Sequence, residues 1–166
     1  MTARAVTTPF AERFAEARST TIEVDGEELH SLVDVSMEGP IFLVVVRAGS
    51  RADRPQGLVV DGGGTELGVE GTVSPRLTLW SDTAPETVVI EITEAGTVNL
   101  RMWNTWRDDS VEHAWVGWAA MKRDDQDGVT TLSCRDGHPD GDFDDLVIEL
   151  GHGASHDSGL VTTALQ

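Results

Sequence analysis

From Thr20 onward, short runs of Val, Ile, Leu and Thr alternate with Gly, Pro, Asp and Ser. That pattern predicts β-strands separated by turns. Residues 97–103 show it most clearly: Val98, Leu100 and Met102 alternate with Asn99, Arg101 and Trp103. Period two gives such a strand one apolar face and one functionalised face. Candidate strands lie at 21–24, 29–36, 41–47, 57–60, 65–70, 76–80, 87–93, 97–103, 112–121, 129–134 and 143–150. Ile41 to Val46 is a continuous apolar run, as expected of a strand covered on both faces. Glu94-Ala95-Gly96 reads as a connection between two strands, and Asp127-Gly128 as the close of a hairpin.

Ahead of the strands, residues 8–18 read as one helix. Thr8 is the expected N-cap, Pro9 suits the first helical position, and Phe10 and Phe14 stand one turn apart. So short a helix is not stable alone, and its two phenylalanines must dock. The fold expected is therefore all-β: an antiparallel β-sandwich, jelly-roll-like, with a short N-terminal α-helix. The helix occupies 1–19, the sandwich 20–150, and an extended C-terminal tail 151–166.

The 166 residues suit a single domain with its own core. Twelve Lys and Arg against 29 Asp and Glu give 12 − 29 = −17. That charge repels phosphate backbones and anionic lipid, so neither nucleic acid nor a membrane surface is an expected partner. The single cysteine, Cys134, excludes an internal disulfide framework. No apolar run approaches the ~20 residues of a membrane-spanning helix. The first nine residues carry no apolar signal segment, so a cytoplasmic location is expected. Asp61-Gly62-Gly63-Gly64 lacks a following Gly-Lys-Ser/Thr and reads as a turn, not a phosphate loop.

Two segments carry candidate chemistry. Four of the five tryptophans fall between 103 and 118. Arg101, Trp103, Asn104 and Trp106 form a candidate ligand platform, with aromatic rings for sugar C–H faces and polar neighbours for hydroxyls. Asn104 is expected to begin a turn that carries Trp106 back to the same edge. Trp115 and Trp118, three apart in one expected strand, point to opposite faces. The alternatives are a structural tryptophan cluster and a protein-interface hot spot.

The second segment is acidic. Asp136, Asp140, Asp142, Asp144 and Asp145 crowd one Gly-containing loop, a composition that suits Ca²⁺ with its six to eight oxygen ligands. EF-hand spacing fails there, because Asp145 and Gly151 stand where Gly and Glu are required. The bland alternative is a solvated turn. Zn²⁺ is a weaker candidate, on Cys134-x₃-His138 followed by His152-x₃-His156.

Residues 100–150 resemble a group of uncharacterised bacterial proteins. The resemblance rests on Leu100-Arg101-x-Trp103-Asn104-x-Trp106, Cys134-x-Asp136 and Phe143-Asp144-Asp145-Leu146, and it implies no activity. The acidic loop beside a strand is similar in composition to calcium-dependent β-sandwich lectins. The leading expectation is a non-catalytic binding module for a small polar ligand, carbohydrate being one candidate, with Ca²⁺ assisting. The alternative is a structural or oligomerisation protein using the tryptophan segment as an interface. A third reading is a sugar hydrolase with Asp as acid and base.

Overall fold

The computed structural model describes residues 8–154. Helix α1 spans Phe10–Ala17. The strands are β1 (Thr21–Val24), β2 (Glu27–His30), β3 (Val33–Ser50), β4 (Gln56–Asp61), β5 (Leu67–Val69), β6 (Thr72–Ser74) and β7 (Arg76–Trp80). They continue with β8 (Thr87–Asp108), β9 (Val111–His113), β10 (Ala120–Gln126), β11 (Val129–Arg135) and β12 (Leu146–Ala154). The pairing path runs β1-β2-β10-β11-β12-β3-β8-β4-β7, with β5 and β9 also on β8 and β6 on β5. The antiparallel all-β expectation holds, with one short helix near the N-terminus.

Two strands organise the rest. β3 and β8 pair from Val33↔Met102 to Gly39↔Gly96, and again from Ile41↔Ile92 to Val46↔Thr87. Between those blocks β3 advances two residues and β8 advances four, so β8 carries a two-residue bulge. An even insertion preserves side-chain parity. Val88, Ile90 and Ile92 before the bulge, and Val98, Leu100 and Met102 after it, all face inward. A bulge bends the strand that carries it. β12 flanks only the Ile41–Ser50 half of β3, and β4 flanks only the 101–106 part of β8. The sheet thus folds over itself, and one core takes Leu43, Val45, Leu132 and Ile148 from one leaf and Val35, Leu58, Val60 and Leu100 from the other.

Several expectations are corrected. Glu94-Ala95-Gly96 does not connect two strands; Thr93, Glu94 and Ala95 form the bulge inside β8 and Gly96 resumes the pairing with Gly39, because β3 runs unbroken opposite them. Asn104 and Trp106 lie within β8, whose turn comes at Asp109 and Ser110, both with positive φ. The span expected as one strand, 112–121, is β9, a loop, and the start of β10. The parity argument for Trp115 and Trp118 therefore does not apply. Residues 151–154, expected in the tail, extend β12 along β3; the remainder of 151–166 lies outside the described residues. The Asp127-Gly128 hairpin forms as expected, with φ of 52° and 80°.

α1 begins one residue later than expected. Pro9 takes the N-cap position, with no side-chain cap, and Arg18 closes the helix in the left-handed region at φ 51°. Phe10 and Phe14 dock on Leu29 and Ala120, with Trp118 and Phe143 at the edge. The Phe10 and Trp118 rings meet edge to face at 5.2 Å, and the Arg135 guanidinium covers both.

The bulge sets a sharp constraint at Gly39, where a Cβ would stand 2.0 Å from the Glu94 carbonyl oxygen. Gly39→Ala is expected to cost roughly 1–3 kcal/mol, as overpacking against backbone does. Gly49, with nothing within 4 Å of its Cβ position, serves as control. Gly49→Ala should stay within about 0.5 kcal/mol of the parent. Urea melts of the two variants check this, and equal midpoints would remove the constraint.

Candidate functional site

Period two places Trp103 on the outer face of β8, as expected, but that face is not open. The Trp115 ring lies 4.7 Å away and the Arg76 guanidinium 5.2 Å away, and Trp103 is only 8% exposed. Trp115 comes from the loop between β9 and β10, where its indole N–H donates to the Ser31 carbonyl at 2.7 Å. Asn104 is buried and donates from Nδ2 to the Arg135 carbonyl at 2.8 Å. Trp106 is buried as well, with His113 stacked on it and Gly137 directly against its edge. Of the four platform residues only Arg101 is exposed. Loop 114–119 covers one face of the expected platform and the β11–β12 loop the other.

The acidic loop also has a different use. Asp136 and Asp145 are buried, and two arginines reach them. Arg54 donates from Nε and Nη2 to Asp136, at 2.9 and 3.2 Å, and from Nη2 to Asp140 at 3.0 Å. Arg51 donates from Nη1 to Asp145 at 3.0 Å. Gln56 Nε2 and the His138 amide complete Asp136, while the Asp136 and Asp142 amides donate to Asp145 Oδ2. Asp142 accepts from the Asp144 amide as a local turn, and Asp144 is exposed. Burial pushes the Asp145 carboxyl above its usual range, against the pull of its amide donors and Arg51. Arg54, first, holds Asp140 below that range.

Of the five aspartates expected to bind Ca²⁺, Asp136, Asp140 and Asp145 are engaged by arginines. The two buried carboxylates, Asp136 and Asp145, accept from guanidinium, side-chain amide and backbone N–H groups. A Cβ on Gly141 would stand 2.8 Å from both Asp136 Oδ1 and Asp145 Oδ2, so the loop closes directly on the carboxylates. Among the described residues no three His, Cys, Asp or Glu are arranged to hold a metal. The zinc set does not assemble there either. Cys134 is fully buried in the core, its thiol pushed up by burial first and by Asp145 second. His138 turns to Asp108, at 2.9 Å, and His152 is exposed on β12. His156 lies outside the described residues.

A groove that the sequence did not single out lies at the other end of β8. It encloses about 630 Å³ between the β5–β6 hairpin and the first half of β8. Phe42, Val73 and Val89 supply apolar surface, with Val73 55% and Val89 43% exposed. Glu66, Glu70 and Glu91 supply charge, and no Lys, Arg or His lines it. None of the three carboxylates has an ion pair or hydrogen bond among the described residues. Glu70 and Gly71 form the two-residue turn of the hairpin, both with positive φ. The one sequence signal was that Glu-Gly pair, between runs too short to read as separate strands.

Compared with protein-family models, curated proteins and solved structures, the chain matches none. No helix among the described residues is long and apolar enough to cross a membrane.

The arginine–aspartate network makes a stability prediction. Removing Arg54 strips the fully buried Asp136 carboxylate of its two guanidinium hydrogen bonds and leaves only the more distant Arg51, 4.0 Å away, and breaking a comparable buried pair costs about 3–5 kcal/mol. Arg54→Leu should therefore destabilise strongly, whereas Asp144→Asn, on the exposed side of the same loop, should shift stability by less than about 0.5 kcal/mol. Denaturant melts test both, and a small effect of Arg54→Leu would contradict the network.

Proposed function

We propose that the chain is a non-catalytic binding module whose ligand is cationic and partly apolar, held in the groove beside β8. The observation that carries this reading is the lining itself: three uncompensated carboxylates around exposed valines and Phe42, with no base. Like charges lining one groove repel, and a cation relieves that repulsion where a neutral ligand does not. Exposed ion pairs contribute only about 0–1 kcal/mol each. The carboxylates therefore act chiefly on selectivity and approach, and apolar burial supplies most of the affinity. This moves the binding-module reading away from the tryptophan platform and from neutral carbohydrate, and needs no Ca²⁺.

A second reading, an interaction protein, draws on a different feature. Trp115 and Val116 are 47% and 49% exposed, and Trp115 borders a cavity of about 260 Å³ lined by Ala11, Phe14, Leu32 and Ala119. An oligomer that dissociates on Trp115→Ala would favour it.

The ligand class is tested by NMR titration with phenethylammonium and, separately, with a neutral disaccharide. The expected result is saturable amide shifts at Gly68, Val89 and Glu91 with the cation, weakening as salt rises. The triple variant Glu66→Gln, Glu70→Gln, Glu91→Gln should fold normally and bind at least about tenfold more weakly. Shifts with the disaccharide alone, or equal binding by the triple variant, would overturn the assignment.

A further inference from the structure

The groove has a main-chain side as well as a side-chain side. The Arg47 amide donates to the Glu86 carbonyl at 2.8 Å, so residue 86 directs its main-chain groups toward β3. In an antiparallel ladder this direction alternates residue by residue. Val88, Ile90 and Ile92 therefore bond to β3, and Thr87, Val89 and Glu91 direct their N–H and C=O groups to the other edge. On that edge only Glu91 has a strand partner, Gly68. Continuing the same register would bring Glu70 opposite Val89, but Glu70 and Gly71 turn there. Thr87 and Val89 thus face the groove with no strand beside them among the described residues.

Resting on the cationic-ligand reading above, we propose that the natural occupant is an extended basic peptide, which adds as a strand along Thr87–Val89. Such a strand satisfies the open amides and carbonyls, as in other edge-addition complexes. Its alternate side chains then meet two kinds of surface: Phe42, Val73 and Val89 accept apolar groups, and Glu66, Glu70 and Glu91 accept Lys or Arg. The charge also chooses against the simplest competitor. A second copy of this chain would bring its own Glu86 and Glu91 to the same edge, on a body of net charge −17. Charged flanks of this kind keep an open edge from pairing with itself. A basic partner is attracted by the same charges.

The experiment is fluorescence anisotropy on the full chain, with an array of labelled hexapeptides alternating Lys or Arg with Val, Ile or Phe. Each has a counterpart N-methylated on alternate residues, in both phases, which keeps charge and side chains but removes main-chain donors. Strand addition expects basic peptides to bind, one phase of N-methylation to weaken them about tenfold or more, and the other phase to leave them nearly unchanged. Glutamate-containing versions should not bind. If both N-methylated phases bind like the parents while phenethylammonium still shifts the groove amides, strand addition is wrong and the cation groove stands. If neither the peptides nor phenethylammonium binds, the groove reading falls with it. A chain that sediments as a dimer through this edge, and loses the dimer on Val89→Lys, would assign the edge to a second copy and overturn the peptide.

Discussion

The ladder between β3 and β8 is what every other element leans on. Its thirteen registered pairs join the two longest strands of the fold, and both strands pass through both leaves. β12 can reach the core only along the second half of β3, and β4 only along the second half of β8. The bulge opposite Gly39–Ile41 is the decisive detail. An insertion of one residue would have turned Val98, Leu100 and Met102 to the outside. Two residues bend the strand and keep them in. The same bend separates the two ends of β8, so that one end is sealed by tryptophans and the other is left open along one edge.

Charge is distributed according to that difference. At the sealed end, Arg51 and Arg54 meet Asp136, Asp140 and Asp145, and both buried carboxylates accept several hydrogen bonds. Buried pairs of this sort add little net stability, because desolvation offsets attraction; losing one partner is what costs heavily. Their effect is to fix where the 136–145 loop lies, with Gly141 pressed on the carboxylates. At the open end, Glu66, Glu70 and Glu91 have no such partners among the described residues. Acids that are satisfied within the chain hold the fold, and acids that are not are available to a ligand.

Period-two patterning made the all-β class readable, together with the inward face of 97–103 and the Asp127-Gly128 hairpin, because each depends on local spacing alone. The bulge was not readable, since Glu94-Ala95-Gly96 looks the same locally in a turn and in a bulge; only the partner strand distinguishes them. Trp103 was placed on the correct face, yet its covering ring, Trp115, arrives from a loop that the apolar run at 112–121 disguised as strand. The acidic loop suggested a cation, and a cation is present in the form of two guanidinium groups more than 80 residues distant in the chain. Long-range pairing of that kind leaves no spacing to read. For the same reason the groove was missed: an open edge is defined by which strand fails to reach it.

The open edge is the claim on which the functional account stands, and amide hydrogen exchange of the free protein tests it residue by residue. Val88 and Ile90 should be protected by their bonds to β3, and Thr87 and Val89, between and beside them, should exchange orders of magnitude faster, giving an alternating pattern along one strand. Uniform protection from Thr87 to Ile90 would mean that the edge is already paired, and would contradict the account.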